Sequence, residues 1–470
     1  MTMPSAKQTI GNTGADALEL LRQRKARLVS IFGSADDNGA PRIHYILDLD
    51  NEYCVFNTPV TGHVAAATAI TPAAAWYERE VHERHGIAFD GHPDLRPLIH
   101  HAPSYPFLKV GGEGVCEVAV GPVHAGIIEP GHFRFSVVGD TVLHLELRHF
   151  YTHKGTEKLL EGTPIMNGPM AVESVSGDNC FAHAVAYCQA VENACEFTVP
   201  PRASAIRLVG LELERMLAHI ADVGALCGDV GFTVPAAYNS RIKESLLRAS
   251  ARLVGTRFWK GICVPGGVRH GLSDQSAAEL SVIVGDSARD FAEMAQIILD
   301  APSVQNRFES TGVLKPAVVR DLAVVGPVAR ASGAVADVRH DHPYGRYREI
   351  TVEIPHFSYG DVLARARIRI EETRVSAALI QQTLRALPDG NVCAVASATG
   401  SAEGLSAVES PRGELLYWVR VRDGRIARCH IKSPSFQNWP ALPHAMPGNI
   451  IADFPLINKS FNLSYSGCDR

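Results

Sequence analysis

An α+β fold, in which a small N-terminal α/β unit precedes a large, mainly helical one with its own small antiparallel sheet, is predicted by three features of this 470-residue sequence. Alternating apolar runs punctuated by turn residues open the chain, a second pair follows a stretch rich in Pro and Gly, and apolar stripes at helical spacing dominate what remains.

The first runs, 27–33, 42–49 and 53–57, are separated by Asp36-Asp37-Asn38-Gly39 and Asp50-Asn51 and read as antiparallel strands. Residues 72–83 read as a short helix and Gly91-His92-Pro93-Asp94 as a turn. Pro103, Pro106, Gly111, Gly112 and Gly114 read as a linker, which divides the chain into a docking domain, 1–112, and a second domain, 113–470. Beyond it, 117–123 and 133–147 alternate as strands around Val138-Gly139-Asp140.

After Pro200-Pro201, apolar residues at 206, 209, 213, 217, 220 and 224 mark the buried face of a long helix. Leu280, Val284, Phe291, Met294 and Ile298 mark another, and the stripe from Leu363 to Leu387 a third, stopped by Pro388-Asp389-Gly390. A strand-rich segment, 415–431, closes the bundle.

With 46% hydrophobic and 20% charged residues the chain packs a core rather than staying disordered. Its net charge of −5 leaves no surplus to neutralise a phosphate backbone, so nucleic acid is set aside as a partner. No apolar run is long enough to span a bilayer and Met1 to Gly14 is polar, which places the protein in the cytoplasm. The ten cysteines include no C-x-x-C pair, which argues against a self-contained zinc or iron–sulfur site. Cys180, Cys188 and Cys195 share a helix face and read as core.

Trp76-Tyr77-Glu78-Arg79-Glu80, Gly86-Ile87-Ala88-Phe89 and Gly91-His92-Pro93-Asp94-Leu95-Arg96 resemble the C-type peripheral-arm subunit of respiratory complex I. His82, His85 and His92 near Glu80 have the composition of a metal site, but their spacing is a weak zinc signal and they read as a helix face and a turn. The domain is expected to dock, without chemistry of its own.

Five further segments carry a second resemblance: Gly121-Pro122-Val123-His124 through Glu129-Pro130-Gly131-His132-Phe133-Arg134; His153-Lys154-Gly155-Thr156-Glu157-Lys158; Arg207 through Asp222-Val223-Gly224-Ala225-Leu226; Val325-Gly326-Pro327 through Gly333; and Glu409-Ser410-Pro411-Arg412-Gly413-Glu414 through Asp453-Phe454-Pro455-Leu456-Ile457-Asn458. They are similar to the large subunit of energy-converting, membrane-bound [NiFe]-hydrogenases of the formate hydrogenlyase and hydrogenase-4 type, which are relatives of the D-type peripheral-arm component of complex I.

Hydrogenases of that type hold nickel and iron with two C-x-x-C pairs. In this chain the four slots are Ser176, Asn179, Ser464 and Gly467, with Cys180 and Cys468 each one place late. Two hydroxyls, an amide and a glycine do not replace thiolates at a soft metal, so no metal is expected. The chain ends at Arg470, without the extension those hydrogenases lose after metal insertion. The complex I quinone pair is also incomplete, since Pro130 holds its histidine slot and Gly177 its tyrosine slot.

By resemblance, a polar pocket survives. Glu129, His132, Arg412 and Asp469 are its catalytic candidates, and Ser176, Asp178, Asn179, Cys180, His183, Ser464 and Cys468 line it, with Arg134 and Arg470 nearby. Arg412 is expected to pair with Asp469 or Glu129.

The resemblance implies a core subunit of a proton-translocating oxidoreductase on the cytoplasmic side of the inner membrane. It binds no cofactor itself, takes electrons from the [4Fe–4S] cluster of an iron–sulfur partner like the B-type component of complex I, passes them to a quinone or other small acceptor, and works with antiporter-like membrane subunits. A redox-silent scaffold and a [NiFe]-hydrogenase of atypical ligation are the alternatives.

Overall fold

The computed structural model describes residues 13–470 apart from 37–38, 61, 102–104, 125–127 and 395–399. The polar leader before residue 13, the middle of the 36–39 turn and Pro103 of the linker lie outside the described residues.

Three antiparallel sheets organise the chain. The first runs in the order Arg27–Ala35, Pro41–Leu49, Glu52–Pro59. Its first strand is buried on both faces rather than alternately, because the helix Ala75–His85 packs against one side while residues of the third sheet reach the other. Phe32 lies between His44 and His430, with ring centroids 4.6 and 4.2 Å away, and so joins the first sheet to the third. Gly86, in the left-handed region at φ 66°, ends that helix.

His82 bonds the Ile87 carbonyl at 2.8 Å and His92 that of Ala75 at 3.2 Å, while His85 packs against Gly33. The three imidazoles therefore serve separate structural contacts.

The second sheet is Val115–Val120, His132–Val138, Thr141–Arg148 and the third Ser401–Ser410, Gly413–Arg422, Arg425–Lys432. The helix Cys180–Cys195 packs directly on the third sheet: a Cβ at Gly404 would sit 2.0 Å from the Ala190 carbonyl oxygen, so only glycine allows this approach.

The long helices are Pro201–Asp229, Thr233–Val254, Asp274–Asp300 and Val362–Arg385. Pro201 occupies the first turn, where its missing N–H costs no bond. Ser273 and Asp361 cap two others by accepting the amides of Ser276 and Ala364 at 3.1 and 2.8 Å.

The apolar stripe of the Pro201–Asp229 helix is buried, as its spacing predicts. Glu212, Arg215, His219 and Asp222, spaced three and four apart on another face, are buried too. They meet a matching polar row on Val362–Arg385: Arg369 bonds Asp222 at 3.0 Å, Glu372 meets His219 at 2.7 Å, and Ser376 bonds Glu212 at 2.6 Å. Among the described residues no helix is long and apolar enough to cross a membrane.

Candidate functional site

Four elements converge on the ligand slots: the turn before the Cys180–Cys195 helix, the tip between Ser401–Ser410 and Gly413–Arg422, the loop into His132–Val138, and the short helix Tyr465–Asp469. The tip is pinned by backbone contact, because a Cβ on Gly326 would lie 2.2 Å from the Arg412 carbonyl oxygen.

Ser176 Oγ lies 3.0 Å from Ser464 Oγ, and Ser464 accepts the Gly467 amide at 2.9 Å as the cap of the last helix. Arg412 Nη1 donates to the Asn179 side-chain oxygen. A Cβ on Gly467 would meet Ser464 Cβ at 2.9 Å. The slots do come together, but their side chains bond one another and Arg412, and none offers a thiolate. This donor set does not fit a Ni–Fe centre. Among the described residues no group of three or more His, Cys, Asp or Glu side chains could hold a metal ion.

Beside this closed knot opens a cavity of about 600 Å³. Arg412 and Asp178 form its charged wall, with Nη2 to Oδ2 at 2.6 Å and Nη1 to Oδ1 at 3.1 Å. Its surroundings disfavour the charged form of the half-exposed Asp178, but the adjacent Arg412 guanidinium outweighs this and holds the carboxyl pKa at about 2. Arg412 thus pairs with Asp178 and not with Asp469 or Glu129, since the tip delivers the guanidinium to the turn two residues from Ser176. Its Nε donates to the Asn462 carbonyl at 2.5 Å.

Glu129 stands at the exposed edge of the cavity and accepts the Ser466 amide at 2.9 Å. His124 and Tyr465 complete a polar rim that the sequence reading missed. His124 Nε2 bonds the Gly131 carbonyl at 2.8 Å. The Tyr465 hydroxyl accepts from Asn458 Nδ2 at 3.3 Å, and burial pushes its pKa up to about 12, so it stays protonated. Asp229 and Lys459 face each other more loosely across the rim, where burial raises the Asp229 pKa and Lys459 opposes the rise.

The remaining candidates lie outside the cavity wall. Phe133 faces the cavity, so its strand neighbours His132 and Arg134 point to the other side of the sheet. There His132 bonds the Gly121 carbonyl at 3.2 Å and Arg134 lies over Phe107 with Glu117 at 3.3 Å. Burial pushes the His132 pKa down.

Cys180, the first residue of its helix, turns away from the knot and meets the Phe258 carbonyl at 3.2 Å. His183 is buried against the Tyr417 hydroxyl at 2.7 Å, and burial drives its pKa down to about 3. Cys468 is fully buried, which pushes its thiol up. Asp469 accepts the Thr152 amide and hydroxyl at 2.9 and 2.7 Å. Arg470 reaches Glu80 at 2.5 Å and Glu157 at 3.4 Å, linking the C-terminal residue to the first domain.

Residues 229–404 and 395–470 match the family described as respiratory-chain NADH dehydrogenase, 49 Kd subunit, and residues 12–109 match its 30 Kd subunit. The chain belongs to the complex I 49 kDa subunit family, with a 30 kDa-type unit ahead of it in the same polypeptide.

Hydrogenase-4 component G of Escherichia coli is 30% identical, over 96% of this chain and 85% of its own. Formate hydrogenlyase subunit 5 of the same organism is 29% identical over 97% and 87%. NADH-quinone oxidoreductase subunit 4 of Thermus thermophilus is 29% identical over 76% of this chain and 94% of its own. A chain from the structure of the membrane-bound sulfane sulfur reductase, an archaeal respiratory membrane complex, shares the fold with a TM-score of 0.72 at 24% identity, covering 76% of this chain and 99% of that one. Family members of this kind are oxidoreductase subunits.

Proposed function

We propose that this chain is the core subunit of a complex I-related, membrane-associated oxidoreductase that works without a Ni–Fe centre. Electrons come from the [4Fe–4S] cluster of an iron–sulfur partner, and a small acceptor of the quinone class takes them in the 600 Å³ cavity. Membrane subunits of antiporter type hold the protein at the cytoplasmic face and use the energy released.

The observation that carries this reading is the closed Ser176–Ser464 contact at 3.0 Å directly beside an open, half-apolar cavity. Side chains at the four slots bond one another and supply no thiolate for a soft metal, while the cavity beside them has room for an organic acceptor. Phe133, Phe454 and Leu463 supply an apolar wall and the Tyr465 hydroxyl and Arg412 supply polar anchors, the composition usual in small-molecule sites.

A carbonyl acceptor that gains two electrons must also gain two protons. The Tyr465 hydroxyl accepts from Asn458, so its own proton is free to point at an acceptor oxygen. Arg412, fixed by Asp178, places positive charge near the developing negative charge. Glu129, at the exposed edge, is the carboxylate placed to bring protons from solvent.

The test is purification of the native complex with nickel analysis and a screen of donors and acceptors. Quinone reduction by a nickel-free complex supports the reading. Hydrogen turnover with stoichiometric nickel would replace it with an atypical hydrogenase, and a complex inert toward every acceptor would leave a scaffold.

A further inference from the structure

Behind the acceptor cavity the two polar helix faces widen into a buried charge network. Arg215 contacts Glu212 and Glu372 at 3.3 and 3.7 Å, and Arg339 contacts Glu212 and Asp337 at 3.1 and 2.8 Å. Arg330 contacts Asp337, Glu372 and Glu409 at 3.2, 2.8 and 2.9 Å. All seven side chains are essentially inaccessible.

The network therefore joins three guanidinium groups to four carboxyl groups. Fully ionised it would carry one uncompensated negative charge in a low-dielectric interior, which is expensive unless a proton is held. His219, which meets Glu372 at 2.7 Å, does not supply that charge at neutral pH, because burial lowers its pKa.

Glu409 is the carboxyl placed to hold the proton. It stands directly opposite Glu414 in the strand register, a like-charge pairing that disfavours two carboxylates. Glu414 is already committed to Arg27 and Lys432 at 2.8 and 2.7 Å. Arg27 also meets Asp48 at 2.8 Å and His342 meets Asp48 at 3.2 Å, while Asp341, on the same small cavity, meets His340 at 2.8 Å, so these groups are engaged with one another. Glu409 and Asp337 line a second cavity of about 50 Å³ shared with these groups, large enough for water. At the other end of the seam Asp222 accepts from Asn462 of the acceptor cavity at 2.6 Å, and the buried Nδ1 of His219 lacks a partner.

We propose that this network is a second functional site, a proton-loading site in which Glu409 holds one exchangeable proton taken from and returned to water in the small cavity. Burial and the neighbouring Asp337 push the Glu409 pKa up to about 7 against the pull of Arg330, so loading and release fall in the physiological range. The proposal concerns this network alone and stands whether or not the larger cavity takes a quinone.

The test is a pH titration of the complete protein with infrared detection of protonated carboxyl groups, for wild type and Glu409→Gln. The wild type should release about 0.8 proton per chain more than the variant between about pH 6 and 8. Glu78 and Glu214, which burial also pushes up to about 7 and about 8, titrate alike in both proteins. Because a raised carboxyl pKa costs stability as pH rises, the melting temperature of Glu409→Gln should gain on the wild type from pH 5 to pH 8. Identical proton counts, or a melting-temperature gap independent of pH, would overturn the proposal. A second variant, Asp337→Asn, removes the uncompensated charge and should ionise Glu409 at pH 6; persistence of its protonated band would equally overturn it.

Discussion

Ser176 Oγ lies 3.0 Å from Ser464 Oγ, so two residues that stand 288 positions apart, in slots where the resemblance to hydrogenases calls for cysteine, bond each other. Expressed with a hydrogenase maturation system, the protein should contain no stoichiometric nickel, because neither hydroxyl nor the Asn179 amide binds a soft metal as a thiolate does. Elemental analysis reads this directly, and nickel near one per chain would refute it.

Glu129 lies at the cavity edge, bonded to the Ser466 amide, while Arg412, the arginine expected for it, meets Asp178 and Arg134 meets Glu117. A carboxyl so placed can exchange protons with solvent. Glu129→Gln should assemble normally and lose about 10²-fold or more in turnover, the range for loss of a general acid–base group. Full turnover in the variant would leave Glu129 without that role.

Tyr465 lines the cavity, and its hydroxyl accepts from Asn458 at 3.3 Å. Tyr465→Phe should raise KM for the acceptor about 10-fold, the value of one hydrogen bond of roughly 1.4 kcal/mol, with stability little changed. Acceptor titrations with unchanged KM would count against a ligand at this wall.

Asp178 holds Arg412 through two contacts while remaining about half exposed, at 54% of its side-chain surface. Asp178→Asn should cost about 1 kcal/mol at pH 7, a value reduced for solvent screening. Since the carboxyl pKa is depressed to about 2, that contribution is present above its ordinary value near 3.8 and is lost as pH falls through about 2. Denaturant midpoints of variant and wild type should converge in acid.

Glu157 is buried among Arg428, His430 and Arg470 at 3.0, 3.2 and 3.4 Å. Burial opposes its ionisation, and Arg428 with the other two outweighs burial and holds its pKa well below the carboxylate range. Glu157→Gln should cost about 3–5 kcal/mol by leaving buried arginines short of charge. The loss should be full above pH 4.5 and shrink in more acid solution, as equilibrium unfolding would show.

The sheets and long helices were legible because their apolar spacing is set by the same cores that bury them. The Pro201–Asp229 helix shows where such reading stops. Its stripe at 206, 209, 213, 217 and 220 is apolar and buried, yet Glu212, Arg215, His219 and Asp222 are buried as well, and one sequence window cannot reveal that Val362–Arg385 brings them partners. Around the site, Ser176, Asn179, Ser464, Asp178 and Arg412 meet as their aligned segments imply. His132 misses the cavity because alternation along a strand puts it on the face opposite Phe133, and Cys180 because one residue along a helix turns a side chain by about 100°. The quoted Gly121-Pro122-Val123-His124 motif held the signal for His124, and the Ser464 slot adjoins Tyr465.

Electron transfer to a small organic acceptor in the cavity beside the Ser176–Ser464 contact can be read as quinone reduction by the purified native complex supplied with a reduced donor. Saturable quinone reduction is expected, falling sharply when Arg412 is replaced by Met in an assembled complex. Quinone reduction unaffected by that replacement, or none at all while hydrogen is evolved, would contradict it.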